Sequence, residues 1–269
     1  MSVDLEDYYV GLPFSRWGKY ESRVEKVTRP ILDLFEKYNV TATFFTVGYV
    51  AEKHPTLIEE VKSKGHEIAS HGYLHPDLKK ISESDFEADL VKSLETLRKV
   101  SGGQKIIGFR APYFSIARPN FWAFNVMRKY LRYDSSLFPV KFHYGLSEAP
   151  RYYYTMSKDN PLEEDFNGGG FTEVPMTTIK LPFVGNFPVA GGHYMRFLPT
   201  YILKAAIKKS NKAGYPFVFY IHPHDLDRDT PRTDGSAWHN YWGLSKAASK
   251  FKSILENFKF SSMREALSL

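Results

Sequence analysis

Short apolar runs of strand length alternate along this chain with segments whose apolar residues recur at helical spacing, and that alternation constrains the fold most strongly. Ser2-Val3-Asp4-Leu5 reads as a short strand ending in acids, followed by a helix from about Val24 to Tyr38 striped with Ile31, Leu32, Leu34 and Phe35. Thr41 to Val47 is an apolar strand closed by Gly48, and His54-Pro55 opens a helix through Lys64 with Gly65 as its C-cap. His66 to Ser70 is the next strand, then Ser82 caps a helix that runs to Val100, with Asp85 three residues on. Ile106 to Arg110 is a strand, Pro119 to Leu131 a helix, and Tyr133-Asp134-Ser135-Ser136 another strand end. Strands at Thr172 to Met176 and Phe217 to Ile221 flank a helix from Leu198 to Ala213. A last long helix runs from Ser245 to Asn257, before Lys259 to Ser261 and a short terminal helix.

Six or seven such units predict an α/β fold, a single-domain, irregular or incomplete (β/α) barrel with about seven parallel strands. A chain of 269 residues is long enough for one large core, no repeat or low-complexity tract divides it, and residues 1–269 read as one domain. Residues 140–170 are polar and rich in Tyr and Gly, and read as an irregular insertion with room for a short hairpin.

The absence of cysteine excludes disulfides, thiolate metal sites and cysteine nucleophiles, and fits a reducing compartment. No basic and apolar leader follows Met1, and no apolar run reaches the ~18 residues of a membrane span, so the expectation is a cytoplasmic protein. The net charge of +6 favours anionic partners, and peripheral contact with a membrane surface is compatible with it. Lys and Arg are scattered in runs no longer than two, which argues against a nucleic-acid face. Aromatic residues make up 16% of the chain, a composition that serves either a ring-rich core or stacking on sugar faces.

Function in parallel barrels sits at the C-terminal ends of the strands. Here those ends deliver Asp4, Glu6 and Asp7; His71 and His75; Arg110 and Tyr113; Asp134; and His222 with His224 and Asp225. His71-Gly-Tyr-Leu-His75 is an H-x3-H pair, a spacing that lets two imidazoles reach one cation. Joined by an acid of the first strand, it makes a two-histidine, one-carboxylate site with positions open for water and substrate. Surface histidines and a solvated strand end are the plain alternative.

These motifs, taken in order, resemble the polysaccharide deacetylases of carbohydrate esterase family 4. Ser2 to Asp7 is similar to that family's first acidic motif, and Gly65-His-Glu-Ile-Ala-Ser-His71-Gly-Tyr-Leu-His75 to its second, which carries the metal histidines. Phe109-Arg110-Ala-Pro112-Tyr113 resembles the third, Tyr133 to Phe138 the fourth, and Tyr220-Ile221-His222-Pro223 the last. The segments Gly191 to Pro199 and His222 to Arg232 also look like a branch found near exopolysaccharide assembly systems.

The resemblance implies a metal-dependent hydrolase that removes N-acetyl groups from N-acetylhexosamine units of a glycan or glycan precursor. A divalent ion, zinc by default with cobalt, nickel or iron also suited, would sit on His71, His75 and Glu6 and activate a water. The family's usual adjacent aspartates are replaced by Asp4-x-Glu6-Asp7, which favours Glu6 as the metal carboxylate and leaves Asp7 as the alternative. Asp4 takes the place of the base and His222 that of the acid. Arg110 would keep Asp4 ionised, Asp134 would accept a hydrogen bond from His222, and Pro112 and Tyr113 would meet the substrate, the N–H of Tyr113 serving the oxyanion. Competing readings are an amidohydrolase of small non-sugar amides and a silent glycan-binding module.

Overall fold

The structure is a computed structural model that describes residues 1–141, 146–166 and 170–269. Among the described residues ten strands are formed: β1 (Ser2–Leu5), β2 (Thr43–Thr46), β3 (Glu67–Ser70), β4 (Gly108–Phe109), β5 (Tyr133–Asp134), β6 (Tyr154–Met156), β7 (Phe171–Glu173), β8 (Thr178–Leu181), β9 (Gly185–Pro188) and β10 (Tyr220–Ile221). The described residues also form nine α-helices: α1 (Val24–Lys37), α2 (Gly48–Lys53), α3 (Pro55–Ser63), α4 (Glu83–Val100), α5 (Trp122–Tyr130), α6 (Gly192–Phe197), α7 (Thr200–Lys212), α8 (Leu244–Leu255) and α9 (Met263–Ala266).

An eight-stranded sheet runs β10-β1-β2-β3-β4-β5-β7-β6, parallel from β10 to β7, with β6 antiparallel at the edge. The expected seven parallel strands are present, curled into a half-barrel. The 140–170 insertion supplies β6, although residues 142–145 and 167–169 lie outside the described residues.

Alternation along the strands decides what each face carries, because successive side chains point to opposite sides. Val3, Leu5, Phe44 and Ile68 belong to the large cluster shared with the helices, where Phe35, Leu90 and Phe251 are also fully buried. Phe45 and Ala69, one residue along, join Ile107, Tyr133, Val174 and Met263 in a second cluster within the curl. The terminal helix α9 caps that inner cluster: Met263 N–H donates to Thr43 Oγ1 (2.7 Å) and Arg264 N–H to Glu67 Oε2 (3.0 Å).

Three differences from the sequence expectation have physical causes. The helix expected over Leu198–Ala213 is α7, beginning at Thr200, and an unexpected short helix, α6, precedes it; Pro199 offers no N–H and drives Leu198 to extended backbone (ψ 145), which keeps the two apart. The hairpin β8–β9, formed by Thr178–Leu181 and Gly185–Pro188, is too short and too mixed in polarity to show in the pattern. Gly48 opens α2 rather than merely closing β2, its N–H donating to the Gly72 carbonyl (2.9 Å). Among the described residues no helix is long and apolar enough to cross a membrane.

Candidate active site

The same alternation places the acids of the first motif. Ser2, Asp4 and Glu6 share the parity that faces the curl, whereas Asp7 shares the parity of Val3 and Leu5 and faces the helices. The carboxylate of Asp7 accordingly accepts hydrogen bonds from the N–H groups of Tyr8 (3.1 Å), Arg23 (3.1 Å) and Val24 (3.4 Å) and from Ser22 Oγ (2.5 Å). It satisfies the amides at the start of α1, where a negative charge also meets the helix dipole. The Asp7 alternative for the metal carboxylate is therefore corrected: that side chain is committed to the helix.

Glu6 is turned the other way. Its Oε2 lies 2.9 Å from His75 Nε2 and 3.7 Å from His71 Nε2, and one ligand atom from each of the three residues falls within 4.8 Å of the others. All three side chains are buried. His71 Nδ1 donates to the carbonyl of Arg110 (2.7 Å), which fixes the tautomer and leaves the Nε2 lone pair facing Glu6. Burial, the largest influence on it, lowers the His71 pKa to about 4, so the ring is neutral at pH 7. Glu6 Oε2 and His75 Nδ1 are buried atoms without an aligned hydrogen-bond partner among the described residues. An orphaned carboxylate oxygen facing two imidazole nitrogens is the donor set a divalent ion requires, so these residues fit a metal.

The loop between the histidines is held by a residue that pattern reading passed over. Asp89 on α4 accepts from Tyr73 N–H (2.7 Å) and Leu74 N–H (2.9 Å). Gly72 makes room for it: its φ is +75, and a Cβ there would lie 2.9 Å from Asp89 Oδ2. His75 and Tyr113 also have positive φ, 55 and 58, a strain that collects at functional sites. Their rings meet edge to face at 4.6 Å, and the half-exposed Tyr113 extends its hydroxyl to the Gly11 carbonyl (3.3 Å). Pro112, beside it, is buried.

Two charged pairs flank the cluster. Arg110, fully buried, donates from Nη1 to Asp4 Oδ1 (2.5 Å) and Ser2 Oγ (3.1 Å), and from Nε to the Ser135 carbonyl (3.1 Å). Its guanidinium lies 4.1 Å from the ring centroid of Phe45. On the other side His222 presents Nε2 between Asp4 Oδ2 (3.8 Å) and Glu6 Oε1 (3.7 Å). Burial opposes charging of His222, but the bond to Asp225 and the charges of Glu6, Asp225 and Asp4 outweigh it and raise its pKa to about 9.

The partner of His222 corrects a second expectation. It is Asp225, with Oδ2 3.2 Å from His222 Nδ1, and not Asp134. Asp134 accepts instead from Ser136 Oγ (2.6 Å) and Ser136 N–H (3.1 Å), while Ser136 Oγ receives Ala111 N–H (2.7 Å). It supports the Pro112-Tyr113 loop from beneath. The i, i+3 spacing of His222 and Asp225 across Pro223 was the available signal, and the capping geometry of that turn is what realises it. A cleft of about 350 Å3 opens over these groups, lined by Glu6, Tyr8, His222, His224 and Tyr241 among others.

Fold and rim define an open (β/α) barrel with a carboxylate–imidazole cluster where its central strands end. Residues 14–125 match the polysaccharide deacetylase family and residues 135–268 a domain of unknown function (DUF3473). A peptidoglycan-N-acetylglucosamine deacetylase of Bacillus cereus is 39% identical over 90 residues, 33% of this chain and 32% of that protein. A chitooligosaccharide deacetylase of Sinorhizobium fredii is 34% identical over 86 residues, 32% of this chain and 40% of that protein. The matches therefore span well under half the length of these relatives. Among solved structures, a Mycobacterium smegmatis protein bearing the name of a polysaccharide deacetylase superposes with a TM-score of 0.64 at 19% identity, over 99% of this chain and 87% of its own. Puue Allantoinase superposes with a TM-score of 0.57 at 19% identity, over 97% of this chain and 78% of its own. These two likenesses speak to the fold. Residues 14–125 carry the similarity to the polysaccharide deacetylase family, and the solved structures share the fold of the whole chain.

Proposed function

We propose that the protein is a metal-dependent hydrolase that removes acetyl groups from N-acetylhexosamine units of a glycan or glycan precursor. The observation that carries this reading is the convergence of Glu6, His71 and His75 within 4.8 Å, with Asp4–Arg110 on one flank and His222–Asp225 on the other. The names of the curated relatives, which concern peptidoglycan and chitooligosaccharides, support the substrate class. The same reading treats residues 1–269 as one catalytic unit, since a single sheet takes strands from both matched segments.

A divalent cation, zinc by the ligand types, would be held by Glu6, His71 and His75, and when bound it supplies Lewis-acid polarisation of the amide carbonyl and a more acidic water. Asp4, oriented by Arg110, takes the proton of the attacking water as the C–O bond forms. The N–H of Tyr113 donates to the resulting oxyanion. His222 donates its proton to the departing nitrogen as the C–N bond breaks, releasing acetate and a free amino sugar. An amine leaves poorly without that proton, so the acid matters as much as the base.

Metal analysis of the purified protein, paired with amine release from N-acetylglucosamine oligomers and from a panel of small amides, tests the assignment. The reading expects about one divalent ion per chain, turnover of the sugars, and loss of turnover in Asp4→Asn and His222→Ala with metal retained. Turnover confined to small non-sugar amides would replace the substrate class. A metal-loaded protein without turnover on any acetylated sugar would leave a glycan-binding module.

A further inference from the structure

The segments Gly191 to Pro199 and His222 to Arg232 stand apart in the sequence, and the chemistry above uses only His222 and Asp225 from them. The structure packs one against the other. Gly192 opens α6 at a point where a Cβ would lie 1.9 Å from Asp225 Oδ2, so that carboxylate is seated on bare backbone. One turn further along α6, Arg196 is only 4% exposed, and its Nε lies 3.2 Å from Asp225 Oδ1. Its Nη1 donates to the carbonyls of Asn240 (2.6 Å) and Trp242 (3.2 Å). The other oxygen of Asp225 receives His222 N–H (2.9 Å) and faces His222 Nδ1 (3.2 Å). Lys250 Nζ of α8 binds the carbonyls of Met195 (3.1 Å), Arg196 (2.9 Å) and Leu198 (2.9 Å), which ties the end of α6 down.

We propose that Arg196 is a positioning residue for the proton donor, holding Asp225 in the orientation that aims His222 Nε2 at the cleft while fastening the 240–242 segment that walls it. A helix anchored in this way needs no arginine. What suits one is the task of setting a charge beside a buried carboxylate at one nitrogen, as an ion pair without an aligned hydrogen bond, and giving hydrogen bonds to two backbone carbonyls from another, which a planar fork does and an ammonium does not. Arg196 and Asn240 both line the cleft, so the contact joins the proton donor to the surface a substrate would touch. In this arrangement α6 and the 240–242 segment, both within the part of the chain that matches a domain of unknown function, complete the acid half of the site.

The inference rests on the reading of His222 as general acid, and the test separates the two. Arg196→Met, Arg196→Lys and His222→Ala are compared on an N-acetylglucosamine oligomer and on 4-nitrophenyl acetate, whose phenolate departs without a proton. His222→Ala is expected to lose amide turnover on the order of a hundredfold or more and ester turnover far less. Arg196→Met is expected to show the same selective loss in amide kcat, on the order of tenfold to a hundredfold, with metal content unchanged. Arg196→Lys keeps a charge beside Asp225 but not the fork, and is expected to show the selective loss as well; it carries the test if the Met variant lacks a cooperative melt. Equal losses on both substrates, or a rise in KM with amide kcat intact, would overturn the role of Arg196. If His222→Ala itself shows no dependence on the leaving group, the acid assignment fails, and the inference fails with it.

Discussion

At the scale of single residues, the site is an arrangement of protonation states. His71 is neutral because burial lowers its pKa to about 4, which suits a ligand. His222 is cationic because Asp225, Glu6 and Asp4 overcome burial and raise it to about 9, which suits a donor. The sign follows: a raised histidine is protonated below its native pKa, so acid-dependent turnover falls as pH rises through that value. A divalent ion on Glu6 would offset one of the three negative charges and draw that limb below 9. Asp225→Asn removes the hydrogen-bonding charge, and the alkaline limb of kcat/KM on an acetylated oligomer is expected to move to lower pH; an unmoved limb would disconnect Asp225 from the donor. Asp4, Glu6, His71, His75, Arg110 and His222 all stood out in the sequence because each follows an apolar strand. Asp225 was among the groups at that rim but was not given the part of partner to His222, and Arg196 and Asp89 did not stand out, because their roles depend on distances between segments that the chain brings together only on folding.

At the scale of elements, strand parity and helix ends divide labour between adjacent acids. Glu6 and Asp7 are neighbours in sequence, yet one faces two imidazoles and the other the first amides of α1. The parity was legible in Ser2-Val3-Asp4-Leu5, whose apolar members alternate with its polar ones, and extending it by two residues selects Glu6. Asp7→Ala is expected to cost about 1–2 kcal/mol in chemical denaturation, as loss of a cap does, with bound metal retained. Glu6→Gln is expected to do the reverse, losing metal in an equilibrium-binding measurement with a smaller change in stability. Interchanged outcomes would exchange the roles of the two acids. The α6–α7 break was equally readable in Pro199, whereas β8 and β9 gain their pairing from each other and leave little local signature.

At the scale of the whole molecule, the sheet carries charge through its interior, and stability must follow pH accordingly. The alternation of strands and helices disclosed the half-barrel before any coordinate, but not the buried cross-strand pair of Asp134 on β5 and Glu173 on β7. Burial raises Asp134 from 3.8 to about 6, and burial together with the charge of Asp134 raises Glu173 well above the usual carboxylate range, so the two resist being ionised together. A carboxyl whose native pKa lies above its unfolded value contributes stability in full below about pH 4, and that contribution is lost as pH rises through about 6. A rise of that size corresponds to on the order of 3 kcal/mol. Asp134→Asn removes the charge while keeping an acceptor for Ser136, so denaturation at pH 8 should find the variant more stable than the parent by up to that amount, with the gap closing near pH 4. The alkaline limb set by His222 should stay in place, because Asp225 is the partner of that ring. A gap independent of pH would show that Asp134 titrates alike in the folded and the unfolded protein, and a displaced limb would return Asp134 to the catalytic pair that the sequence alone suggested.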